Sequence, residues 1–228
     1  GQVGCCRRAH HDMMLKLYVG NRNYSSWSLR PWLALEKSGL AYVDDVIPLD
    51  VPGFKQAVLD VSPAGTVPVL HVDGAIIYES IAIAEWIAEK APHLWPLDPI
   101  VRAKARAATA LMHSGFFALR EACPMNMRRR NCKQTMMDQA ALADAARIDA
   151  FWQDWLAASG GPFLFGDWSV ADAFYAPVAS RFVTYSLPRS DVSQAYIEAT
   201  EADPAYAKWV AMAEQENWEI ASTDACLS

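Results

Sequence analysis

Four short segments hold residues whose types and spacing could do chemistry. The first is Asn23-Tyr24-Ser25-Ser26-Trp27-Ser28-Leu29-Arg30-Pro31. Pro31 lacks an N–H and disfavours helical geometry at Arg30. A helix is therefore expected to start near Ser25 to Ser28, with Pro31 in or just after its first turn. A serine at that place is ordinarily an N-cap. Its hydroxyl also sits at the positive end of a helix dipole, where it can donate to an anion such as a thiolate. The second segment is Ser62-Pro63-Ala64-Gly65-Thr66-Val67-Pro68-Val69-Leu70. A proline opening a strand is confined to an edge or a special turn. A cis Val67–Pro68 bond would turn the Val67 N–H and C=O outward to pair with an extended peptide; trans is the commoner form. The third is Tyr78-Glu79-Ser80, where Ser80 suits an N-cap and the helix start behind it suits an anion. The fourth, Gly166-Asp167-Trp168-Ser169-Val170-Ala171-Asp172, has the spacing of a capping box, and its reading is structural.

Each segment needs a strand or helix to hold it. Leu15-Lys16-Leu17-Tyr18-Val19 alternates and reads as a strand ending at Gly20. Trp32 to Leu40 is helix-like and bounded by Gly39. Val43 to Leu49 reads as a strand, and Phe54 to Leu59 as a short helix. Residues 67–72 and 75–78 flank Asp73-Gly74 as a hairpin. Ser80 to Lys90 returns to helical spacing. The order over residues 15–90 is β-α-β-α-β-β-α, which fits one sheet covered by helices on both faces.

Beyond Pro92, Pro96 and Pro99 the pattern becomes helical. Helices are expected over 101–120, 140–158, 169–182 and 204–220, with breaks at Pro188 and Pro204. Ile148, Phe151, Trp152, Trp155 and Leu156 make an apolar stripe, and Gly160-Gly161-Pro162 stops it. Four regions are expected. Residues 1–13 form a leader or tag, 14–91 a small α/β domain, 92–99 a linker and 100–228 an all-helical domain.

The chain has 228 residues, 20 Lys and Arg against 26 Asp and Glu, and a formal charge of −6. That balance argues against nucleic acid or an anionic membrane surface as partner. The longest stretch free of Asp, Glu, Lys and Arg runs from Ala107 to Leu119, short of the roughly 20 residues a bilayer needs. Cys5, Cys6, Cys123, Cys132 and Cys226 are odd in number and contain no Cys-x-x-Cys. A reducing compartment is the simpler reading than a disulfide framework or zinc site, and no metal is expected.

Taken in order, the four segments resemble the cytosolic glutathione S-transferase family over about residues 14–220. The resemblance implies a thioredoxin-like α/β N-terminal domain joined to an all-α C-terminal domain. It implies glutathione on the first, an electrophile between the two, and a homodimer in the cytoplasm. Ser25-Ser26-Trp27-Ser28-Leu29-Arg30 is similar to the zeta-class pattern Ser-Ser-Cys-Ser-x-Arg, with Trp27 in place of Cys and Pro31 in place of Val. By position, Ser25 matches the hydroxyl on the glutathione sulfur, with Ser26 close behind. Val67, next to Pro68, matches the residue whose backbone pairs with the cysteinyl part, which makes the Val67–Pro68 bond cis. Glu79 and Ser80 match the pair on the γ-glutamyl end. Thr66 stands where many members carry Lys or Gln.

The activity implied is conjugation of the glutathione thiolate to small hydrophobic electrophiles, as in detoxification. A glutathione-dependent cis–trans isomerase of the maleylacetoacetate type and a non-catalytic glutathione-binding scaffold are the alternatives. Cys123-Pro124-Met125-Asn126-Met127-Arg128-Arg129-Arg130 borders the electrophile pocket in the family. Its three arginines could attract a carboxylate, or be a solvated basic loop. Trp27 and Trp32 flank the proposed site.

Overall fold

The structure, a computed structural model, describes residues 13–132 and 137–225. Twelve residues of the expected leader, with Cys5, Cys6, His10 and His11, lie outside the described residues, as does Cys226.

The N-terminal half is a four-stranded sheet of order β2-β1-β3-β4, made of β1 (Leu15–Val19), β2 (Val43–Val46), β3 (Val69–Val72) and β4 (Ala75–Tyr78). β1 is parallel to β2, with Val19 opposite Val46, and antiparallel to β3, with Leu17 opposite Leu70. Alternation in β1 sends Leu15, Leu17 and Val19 into the core. There they join Leu29 and Leu33 of α1 (Ser26–Ser38) and Ile83 and Ile87 of α3 (Ser80–Lys90). The short α2 (Phe54–Leu59) precedes the β3–β4 hairpin, whose turn is Asp73-Gly74. The arrangement is thioredoxin-like. β2 ends at Val46 rather than Leu49, because β1 runs out of pairing partners at Val19. β3 begins at Val69, after Pro68, which cannot donate to a ladder.

A single 3₁₀ turn at Pro92–Leu94 leads into the helical half. Asp98 caps α4 (Pro99–Ser114) by accepting from the Ile100 and Val101 N–H groups, each at 2.9 Å. The expected single helix over 101–120 is two: Gly115 is extended, Phe116 is left-handed, and α5 (Phe117–Ala122) restarts behind them. After α6 (Gln139–Ser159), Gly160 adopts φ 82° and ends the helix.

α7 (Val170–Thr184) is buried along its whole length. Its start carries the expected capping box: Asp172 accepts from the Ser169 N–H at 2.8 Å, the Leu164 N–H at 3.1 Å and the Tyr196 hydroxyl at 3.0 Å. α8 (Asp191–Ala202) is a helix that the sequence reading left out. The expected helix at 204–220 stops early, as α9 (Pro204–Gln215), and a short α10 (Ala221–Asp224) follows. α1 joins the two halves, packing on α3, α7 and α9. The Lys37–Asp203 ion pair bridges α1 to the start of α9. Among the described residues, no helix is long and apolar enough to cross a membrane.

Candidate functional site

At the end of β1 the chain turns sharply. The Asn21 carbonyl accepts from the N–H groups of Tyr24, at 3.0 Å, and Ser25, at 2.8 Å. Ser25 is the N-cap residue of α1, yet its side chain makes no capping bond. Its hydroxyl donates instead to Ser28 Oγ at 2.7 Å, and Ser28 Oγ also accepts the Gly20 N–H at 3.0 Å. Ser28 is fully buried, while Ser25 and Ser26 keep 9% and 8% exposure, enough to face a cavity. Gly20 makes the close approach possible. A Cβ there would lie 2.8 Å from Leu49 Cδ1 and 3.0 Å from both Cβ and Oγ of Ser25.

A cavity of about 550 Å³ has Tyr24, Ser25, Ser26 and Trp27 on one side, with Lys55, Thr66 and Val67 among its other walls. A second, of about 170 Å³, is lined by Trp27, Thr66, Val67, Pro68, Glu79 and Ser80. Trp27, Thr66 and Val67 belong to both, so the two form one cleft. All seven residues singled out from the sequence line it. The Val67–Pro68 bond is cis, as expected.

Position 79 differs from expectation. Glu79, not Ser80, is the N-cap of α3, held at φ 71°. Ser80 is the first helical residue, 2% exposed, and its hydroxyl has no partner among the described residues. A buried hydroxyl without a partner costs free energy, so this one suits a polar ligand group in the cleft. Lys55 of α2 also lines the cleft and was missed by sequence reasoning. As the only Lys or Arg between Leu40 and Ile81, it was the available signal for a cation there.

Two arginines of the Arg128–Arg130 run are spent on the protein itself, and Arg129 is exposed. Arg128 donates to the carbonyls of Glu216, at 2.6 Å, and Trp218, at 2.7 Å, and to the Tyr24 hydroxyl at 3.1 Å. Arg130 pairs with Glu201 at 2.6 Å. Met125 and Met127 are buried. Trp32 is core, with its N–H donated to Asp44, whereas Trp27 is a wall of the cleft. The loop before Ser25 is pinned from the C-terminal segment. Glu216 accepts from the Arg22 N–H at 3.1 Å and the Asn23 N–H at 3.4 Å, and Asp224 from the Tyr24 hydroxyl at 2.9 Å. On the helical side, His113 of α4 stands 3.9 Å from the Glu79 carboxylate. Burial first, and then the charge of Arg30, hold the His113 pKa below its ordinary value, against the pull of Glu79.

The family model for the glutathione S-transferase N-terminal domain matches residues 24–90, which span the serines, Val67-Pro68 and Glu79-Ser80. A maleylacetoacetate isomerase of Rattus norvegicus is 30% identical over 188 residues, covering 78% of this chain and 83% of that protein. The chain belongs to the glutathione S-transferase family. Two further relatives are more alike over shorter stretches. A probable maleylacetoacetate isomerase of Caenorhabditis elegans is 40% identical over 101 residues, covering 43% of this chain, and a maleylacetoacetate isomerase of Pseudomonas aeruginosa is 35% identical over 122 residues, covering 51%. The chain spans about half the length of these two curated relatives, 46% and 57%. Among solved structures, a glutathione transferase homolog from Burkholderia with bound glutathione has a TM-score of 0.69 at 26% identity, covering 89% of this chain and 99% of its own. A maleylacetoacetate isomerase from Anaeromyxobacter dehalogenans has a TM-score of 0.65 at 25% identity, covering 92% of this chain and 96% of its own.

Proposed function

We propose that this transferase-family chain is a glutathione-dependent cis–trans isomerase of the maleylacetoacetate type. The observation that carries the glutathione site is the single cleft that joins Ser25 and Ser26 to Val67, Glu79 and Ser80. The relatives' activity favours isomerisation over the conjugation expected first, because three of them bear the isomerase name.

Bound glutathione supplies a thiol whose thiolate adds reversibly to a conjugated double bond, allows rotation, and is returned unconsumed. The chain's part is binding and charge control. Glu79 accepts from the γ-glutamyl ammonium, and the free Ser80 hydroxyl donates to its carboxylate. The Val67 backbone pairs with the cysteinyl amide, and Pro68 fixes that backbone's direction. Thr66 lies alongside the same backbone. Lys55, at the α2 side, pairs with the glycyl carboxylate. Ser25 donates to the sulfur at the N-terminus of α1, with Ser26 behind it. A free thiol has a pKa of about 8.5, and a donor at a helix N-terminus lowers it. Ser28 orients the Ser25 hydroxyl. A serine is too weak an acid to act as a base, so its role is to stabilise the thiolate.

The same reading makes the chain a homodimer working in a reducing cytoplasm, with residues 14–91 the glutathione-binding domain, 92–99 a linker and 100–228 the helical domain. Sedimentation only as the 25.2 kDa species would contradict the dimer. The activity test uses a maleyl diketo acid with glutathione far below stoichiometry, followed by proton NMR. Complete conversion to the trans isomer with glutathione intact supports the reading. A stable glutathione adduct indicates conjugation, retention on immobilised glutathione without turnover indicates the non-catalytic glutathione-binding scaffold, and no retention overturns the glutathione site.

A further inference from the structure

Behind Trp27 stands a cluster of positive charge that the glutathione cleft does not use. Arg30, on α1, is fully buried, and none of its three guanidinium nitrogens has a hydrogen-bond partner among the described residues. It lies over two rings, 4.2 Å from the Trp27 centroid and 4.9 Å from that of Phe174. Arg120 of α5 lies over Trp27 as well, at 4.5 Å, with its Nη1 donated to the carbonyls of Gly115, at 3.2 Å, and His113, at 3.5 Å. Arg181 of α7, also buried, gives its Nε hydrogen to the Cys123 carbonyl at 2.8 Å and leaves Nη1 unpartnered. The three guanidinium groups are close enough that Arg30 feels the charge of both others. Among the described residues, no carboxylate stands within ion-pair distance of any of them. Glu79 reaches only His113.

A buried charge is held at high cost unless it is paired, and like charges gathered together raise that cost. Aromatic faces offset only part of it. Unfilled donors on α1 and α7, beside the half-buried Arg120 of α5, thus stand behind the ring that walls the cleft. A planar, acceptor-only anion meets this donor set, and a carboxylate is the match for guanidinium forks. Of the arginines that the sequence offered for the task, Arg128 and Arg130 are already engaged and Arg129 is exposed.

We propose that Arg120 and Arg30, which lie over Trp27, together with Arg181 beside Arg30, form the subsite that holds a carboxylate of the electrophilic substrate. The proposal rests on the glutathione reading above and adds to it which residues select an anionic electrophile. The carboxylate sits on the helical side of Trp27, and the carbon to be attacked faces the Ser25 side. Trp27 is the shared wall. Neutral electrophiles gain nothing from the cluster.

The test is calorimetry on the full chain with two glutathione conjugates, S-(1,2-dicarboxyethyl)glutathione and S-butylglutathione. Both fill the glutathione cleft, and only the first brings carboxylates to the electrophile side. The dicarboxyl conjugate should bind at least about tenfold more tightly. Arg120→Gln should bring the ratio close to one while the affinity for S-butylglutathione stays. Arg30→Met removes an unpaired buried charge. It should therefore raise the melting temperature of the free protein and abolish the preference, whereas a purely structural arginine would lower the melting temperature and leave the preference alone. Equal binding of the two conjugates to the wild type overturns the subsite and leaves the glutathione reading standing. A preference that survives in both variants also overturns the subsite. Failure of both conjugates to bind overturns the glutathione reading, and the subsite with it. If Arg30→Met does not fold, Arg120→Gln decides alone.

Discussion

Replacing Gly20 by Ala tests how the thiol-facing serine is held, without touching a hydroxyl. The new methyl would lie 3.0 Å from Ser25 Cβ and Oγ and 2.8 Å from Leu49 Cδ1. The Leu49 methyl is the free end of a side chain and can swing aside. Ser25 cannot, because its N–H is bonded to the Asn21 carbonyl and its hydroxyl to Ser28. Relief must come from moving Ser25 by a few tenths of an ångström. A misplacement of about 1 Å costs on the order of 100-fold in rate, so a shift of this size should cost roughly tenfold. Overpacking should lower stability by about 1–3 kcal/mol. Glutathione affinity should change less than threefold, since Val67, Glu79 and Ser80 hold most of the peptide. Steady-state isomerisation, glutathione calorimetry and denaturant midpoints on the same variant separate the three effects. Full turnover alongside the expected loss of stability would refute the idea that the Gly20–Ser25–Ser28 contact sets catalytic geometry.

Ser25→Ala should reduce turnover by roughly 10–1000-fold, the worth of one charge-assisted hydrogen bond, and Ser26→Ala by only a few-fold; kcat measured on both settles their order. Ser169→Ala should lower the unfolding free energy by about 1 kcal/mol with glutathione affinity intact. Burial pushes the Asp172 carboxyl up to about 6, so the folded protein keeps a proton that the unfolded chain loses from about pH 4. Stability contributed by that group therefore falls as pH rises through 4 to 6 and is flat above, a change of about 3 kcal/mol. Asp172→Asn should lack this slope in unfolding measured against pH. Glu216→Ala leaves the Arg22 and Asn23 N–H groups without their acceptor; it should cost about 1–3 kcal/mol and speed amide exchange in the loop before Ser25.

Where local pattern and long-range packing agree, the chain was readable. β1, α2, β4 and α3 begin and end where alternation, the Asp73-Gly74 turn and helical spacing put them. Asp172 capped α7 as its spacing from Ser169 suggested. The errors fall where tertiary contacts overrule local signals. Ala-rich 101–120 has no breaker but Gly115, and only the strained Phe116 that follows it shows the helix is cut. α8 carries Ser, Gln and Thr among its apolar residues, a weak stripe that gains its helicity from packing on α6 and α7. The serines and Glu79-Ser80 were legible because each sits at a helix start. The buried arginines were not, because a guanidinium on a helix reads as solvated surface. Arg128 to Arg130, adjacent in sequence, drew attention, while Arg30, Arg120 and Arg181 meet only in three dimensions.

The most direct test of the central claim is the ionisation of the glutathione thiol on the protein, followed by thiolate absorbance against pH. The wild type should show a midpoint at least about one pH unit below the free thiol's value near 8.5, and Ser25→Ala should return it towards that value. An unshifted midpoint in the wild type, or one that Ser25→Ala leaves in place, would contradict the account.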